Sequence, residues 1–73
     1  MQTHIVMDHR GDSRQEFDPR CPVALAEAKR RFEELTGKGF RAIALGRDGH
    51  NCLVRGFDPD VEQTLFIPQL VGG

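Results

Sequence analysis

One stretch of this chain repeats its apolar residues at helical spacing, and strand-like runs stand on both sides of it. Leu25, Ala28, Phe32 and Leu35 recur three and four residues apart, which puts them on one face of a helix. Lys29, Arg30, Glu33 and Glu34 lie largely away from that stripe. Glu27 and Arg31 stand four apart in the favourable order, acid first. Asp18-Pro19 is a helix start signal, and Pro22 offers a second place to begin. Gly37 after Leu35-Thr36 is a stop signal. The spacing therefore predicts a helix over about residues 20–36. A lone amphipathic helix must bury its stripe against a sheet, so the chain is expected to be α+β, one helix on a small mixed sheet.

The strands are read from β-branched and alternating runs. Thr3-His4-Ile5-Val6-Met7 is the first. Gly11-Asp12 has the pattern of a type II′ turn, with Ser13 to Phe17 returning as a second strand. That return is polar except for Phe17, and a plain loop is the competing reading. After the helix, residues 40–45 form the next strand. Asp48-Gly49 is a hairpin turn. Asn51 to Phe57 follows, with Leu53, Arg55 and Phe57 on one face and Cys52, Val54 and Gly56 on the other. Phe-Asp-Pro occurs at residues 17–19 and again at 57–59, which reads as a strand-exit turn used twice. Val61-Glu62-Gln63 is a short turn of helix or a loop. Thr64 to Ile67 is the last strand, and Pro68, lacking a donor, is expected to end its ladder. The order is β-β-α-β-β-β, or β-α-β-β-β if the first hairpin is a loop.

Seventy-three residues make one domain with a modest core and little room for an enclosed active site. A formal net charge of −1 gives no electrostatic reason to bind nucleic acid or an anionic membrane. Lys29, Arg30, Arg31 and Arg41 could be read as a nucleic-acid-binding patch. Interleaved Glu27, Glu33 and Glu34 make a solvated helix face the simpler account. No run approaches transmembrane length and no signal peptide opens the chain, so the expected location is the cytoplasm. There the two cysteines, Cys21 and Cys52, are expected to be reduced. The three histidines are scattered and no CxxC occurs, so neither a metal nor a bound cofactor is expected. No nucleophile-and-base pair stands out either. Arg10-Gly11-Asp12-Ser13 matches an adhesion tetrapeptide, which is read as adventitious.

The last ten residues, Thr64-Leu65-Phe66-Ile67-Pro68-Gln69-Leu70-Val71-Gly72-Gly73, join an apolar strand to a thin tail. Two glycines have no side chains and few forbidden dihedrals, so such a tail can enter a tunnel that excludes side chains. Phe66-Ile67-Pro68 with Leu70-Val71-Gly72-Gly73 resembles the end of the small sulfur-carrier subunit of molybdopterin synthase and its relatives. Arg41-Ala42-Ile43-Ala44-Leu45-Gly46 is similar to the third strand of ubiquitin-like proteins. The element order is also that of their β-grasp fold. Val71 departs from the arginine that precedes Gly-Gly in ubiquitin, which favours a sulfur-carrier or divergent bacterial system over eukaryotic-type conjugation.

The resemblance implies a β-grasp domain over residues 1–69 and a flexible Gly-Gly tail over 70–73. It implies a carrier or modifier and not an enzyme. The Gly73 carboxylate, with an ordinary pKa of about 3.5, is an anion at neutral pH and needs outside activation. An E1-like adenylating enzyme would supply that with ATP. A thiol or sulfide would then give a thioester or thiocarboxylate for an acceptor protein or sulfur-transfer partner. Gly72 and Gly73 would carry the chemistry, Leu70 and Val71 would line the tunnel mouth, and Arg41 and Ile43 would belong to a docking face. The alternative is an unconjugated β-grasp interaction module or accessory subunit of a larger enzyme. The chain is expected to be a monomer.

Overall fold

The computed structural model describes residues 1–46 and 48–69. It is α+β: one helix on one face of a five-stranded mixed sheet. The strands are β1 (Gln2–Asp8), β2 (Gly11–Phe17), β3 (Phe40–Leu45), β4 (Asn51–Val54) and β5 (Gln63–Pro68), with helix α1 (Pro22–Gly37) between β2 and β3. Their order across the sheet is β2-β1-β5-β3-β4. β1 and β5 run parallel, and the other pairs are antiparallel. The first and last strands thus lie side by side in the sheet interior.

The first hairpin forms, with its turn two residues earlier than the sequence suggests. Asp8 pairs with Gly11, so His9 and Arg10 make the reversal and not Gly11-Asp12. The Asp8 carboxylate accepts the Arg10 N–H at 2.8 Å, and Gly11 takes φ +123° just after the turn. An aspartate that bonds its own chain two residues on selects the turn. β2 is exposed along its length except at Phe17, whose ring goes into the core.

Phe17 leads into the first Asp-Pro turn. Asp18 accepts twice there: its carboxylate from Arg20 N–H at 2.9 Å and its carbonyl from Cys21 N–H at 3.0 Å. Asp18 is therefore spent on a turn and does not cap the helix. Cys21 holds the N-cap position with no side-chain hydrogen bond, and Pro22 opens the helix, where its missing N–H would have had no partner. The second Phe-Asp-Pro uses the same device. Asp58 accepts Asp60 N–H on its carboxylate at 2.9 Å and Val61 N–H on its carbonyl at 3.3 Å. That second turn is pinned to β1, since Gln2 Nε2 donates to the Pro59 carbonyl and Thr3 N–H to that of Glu62, both at 2.7 Å.

At the other end of α1 the stop falls two residues beyond Gly37. Gly37 is still helical, Lys38 is the C-cap, and Gly39 takes the left-handed step with φ +99°. The Lys38 N–H reaches the Glu34 and Leu35 carbonyls, and the Gly39 N–H reaches that of Thr36. These bonds satisfy carbonyls that the helix end would otherwise leave orphaned.

Alternation along the strands divides the sheet into two faces. Phe32 (3% exposed), Ala42 and Phe66 (0%) form the buried centre under α1, with Val6, Leu35, Phe40, Val54 and Phe57 packed around them. Two strand expectations need correction here. β4 ends at Val54, and the chain bends at Arg55 and Gly56. The bend breaks the alternation that would have kept Phe57 beside Leu53. Phe57 instead turns under the sheet, with its ring 5.9 Å from Phe32 and 6.2 Å from Phe17.

Pro68 does not end the ladder. It pairs with Phe40, and the Gln69 N–H still donates to the Gly39 carbonyl at 3.1 Å. In an antiparallel ladder, bonded and non-bonded pairs alternate. Gly39 and Gln69 are bonded, so the Pro68 nitrogen points away from β3, towards β1. The β1–β5 pairing stops at Val6 and Phe66, short of that level, so no donor is missed.

The core also holds a polar ring. His4 is 2% exposed, with Phe17, Phe66 and Phe57 around it at 4.9, 5.1 and 6.0 Å, all close to edge-to-face. Its Nδ1 is buried without a hydrogen-bond partner. Burial, with a smaller contribution from the Arg31 guanidinium, pushes its pKa down to about 4.

Candidate functional site

Because the described chain has one helix, the second face of the sheet is left without a cover. Arg41 and Ile43 flank the buried Ala42 in β3, so both point to that open face. The register builds the rest of the face strand by strand. Ile5 opposes Leu65, Leu65 opposes Ile43, and Ile43 opposes Leu53. Arg14 of β2 stands opposite Ile5 at one end of this row. A second row sets Met7 opposite Asp12, and Ile67 opposite Arg41. The result is an apolar band four strands wide with arginines at its margins.

Exposure along the band is uneven. Ile5 is buried by its neighbours, whereas Met7 is 45% and Leu53 57% exposed. Large apolar side chains that share one flat face are more informative than the same side chains scattered singly. Arg41 has a particular place. It pairs with Ile67, two residues before Gln69 hydrogen-bonds to Gly39. The face therefore adjoins the point where the described chain leaves the sheet.

Of the residues named from sequence, Arg41 and Ile43 fall together on this face. Leu70, Val71, Gly72 and Gly73 lie outside the described residues. Sequence reasoning missed Ile5, Met7, Leu53, Leu65 and Ile67 as members of the face. The alternation of buried and half-buried residues in each strand was a usable signal, but joining four strands into one band needs their register.

The opposite end of the sheet has a cleft of about 360 Å³ lined by Leu45, Gly46, His50, Cys52, Asp60 and Val61, among others. His50 Nδ1 lies 2.8 Å from the Asp48 carboxylate, and that hydrogen bond holds the Asp48 carboxyl below its usual range. Both side chains are largely exposed, so the pair shapes the hairpin turn and adds little energy. Cys21 and Cys52 are both exposed and both free thiols. Among the described residues, no His, Cys, Asp and Glu side chains gather into a group that could hold a metal ion. None of their helices is long and apolar enough to cross a membrane.

Comparison with protein-family models, with curated proteins and with solved structures found no match to this chain.

Proposed function

We propose that this chain is a ubiquitin-like β-grasp protein that serves as a sulfur carrier or protein modifier. Its C-terminal glycine would be the acting group. An E1-like enzyme would join the Gly73 carboxylate to the α-phosphate of ATP, releasing pyrophosphate. A thiol or sulfide would then displace AMP, leaving a thioester or thiocarboxylate on Gly73. Gly72 and Gly73 would pass a tunnel closed to side chains, with Leu70 and Val71 at its mouth.

The observation that carries this reading is the uncovered apolar band with Arg41 beside the end of β5. A carrier needs a surface that an activating enzyme can hold while the tail reaches its site. Ile43 and Leu53 on the open face, with Arg41 next to the strand that leads into the tail, meet that need. The element order β-β-α-β-β-β agrees with the resemblance in the tail and the third strand.

The test is chemical. The tagged protein is recovered from its native cytosol and its C-terminus examined by mass spectrometry. The expected product is a thiocarboxylate or an isopeptide-linked partner, absent when Gly73 is deleted or Gly72 is replaced by a bulky residue. A C-terminus that stays an unmodified carboxylate, even with the organism's E1-like enzymes and ATP added, overturns the proposal.

The exposure of Leu53 and Met7 favours one second reading, because the same face could serve binding alone. In that case the chain is an unconjugated accessory subunit. Substitutions at Ile43 and Leu53 would then abolish partner capture while Gly73 deletion would not.

A further inference from the structure

We propose that His4 is an acid-sensitive latch on the core: neutral, it holds both Phe-Asp-Pro turns against β1, and charged, it cannot remain between them. The ring sits where the two turns converge. Phe17 and Phe57, which open the turns, contact it at 4.9 and 6.0 Å and each other at 6.2 Å, and Phe66 of β5 closes the third side at 5.1 Å. Among the described residues, no carboxylate figures in the forces that set the charge of the ring. β2 sets Gln15 opposite His4 and β5 sets Thr64, and both are uncharged. Among the described residues, the charged group acting on the ring is Arg31 of α1, a cation that disfavours a second one. Nδ1 is buried without a partner, and the charged ring carries an N–H on both nitrogens, so it would hold an unpaired donor there.

The unfolded chain takes up the proton near its ordinary pKa of 6.5, whereas the folded chain resists until about 4. A depressed histidine pKa means the unfolded state binds more protons between those values. The stability that neutral His4 contributes is therefore complete above about pH 6.5. It is lost progressively as pH falls to about 4 and changes no further below that. The loss corresponds to a rise of roughly two to three powers of ten in the unfolding equilibrium constant. The corner held by Phe17 and Phe57 should release first.

The test follows the His4 ring of the intact protein from pH 7.5 to 3.5 by NMR and measures unfolding in parallel for wild type and His4→Leu. While the protein is folded, the His4 ring should stay neutral through pH 6.5 and down towards about 4, and wild type should lose its fold at a higher pH than His4→Leu. Carboxylate protonation is common to both proteins, so the difference isolates His4. Titration of His4 near the ordinary 6.5 in a protein that remains folded would overturn the latch, as would identical acid midpoints for the two proteins. If His4→Leu does not fold at neutral pH, the wild-type titration decides alone.

Discussion

Single residues carry most of the turn geometry, and glycines divide sharply into those that must be glycine and those that need not be. Gly46 opens the β3–β4 turn with its N–H on the His50 carbonyl at 2.9 Å. A Cβ there would run into that carbonyl and the Asp48 carboxylate. Backbone cannot retreat as a flexible side chain can, so Gly46→Ala is expected to destabilise the domain by about 1–3 kcal/mol, read as a lower denaturant midpoint at unchanged slope. Gly37 is the opposite case. It ends α1 with open space around it and no left-handed φ, so Gly37→Ala is expected to stabilise by about 0.5–1 kcal/mol. The contrast explains a misreading of the sequence. Both Gly37 and Gly39 follow Leu35-Thr36, and composition cannot tell which one takes the left-handed step. The hydrogen bonds from Lys38 and Gly39 decide it.

At the scale of elements, the helix was the most legible part of the chain, because a period of three and four survives any packing arrangement. Ala28 and Phe32 are its buried residues, both in the stripe read from sequence. Phe32→Ala is expected to cost about 3–5 kcal/mol, enough to unfold much of a domain this small. A thermal melt checks it, and an unchanged midpoint would mean the stripe is misassigned. The end of β4 was not legible. Leu53, Arg55 and Phe57 keep a strand's alternation in sequence, yet Phe57 belongs under the sheet because rings from β2 and α1 take it there. Such contacts join segments some 25 to 40 residues apart in the sequence and leave no local signature. The open face shows the same limit. Arg41 and Ile43 could be named from a resemblance within one strand, whereas Ile5, Leu65 and Leu53 join them only through register. Leu53 is 57% exposed, so Leu53→Ser is expected to change stability by less than about 0.5 kcal/mol. Under the proposed function it should still weaken capture by the activating enzyme, measured as the rate of ATP-dependent pyrophosphate release.

Across the whole molecule, protection should grade inward from the edges. β2 pairs on one side only and is exposed almost throughout, and β4 is a short edge of four residues. β1 and β5 are flanked on both sides and carry Ile5 and Phe66. Native-state hydrogen exchange is expected to be slowest in β1, β5 and the β5-facing amides of β3, and fastest around residues 48–56. Uniform protection across the sheet would contradict that order. The pairing of β1 with β5 also decides how the domain answers a mechanical load. The two strands are parallel neighbours, so a pull applied before Gln2 and after Pro68 drags them along each other in opposite directions. Their bonds are then strained together and not peeled one at a time. A protein hauled by one end against an anchor at the other would meet its greatest resistance at this seam, between the first strand laid down and the last.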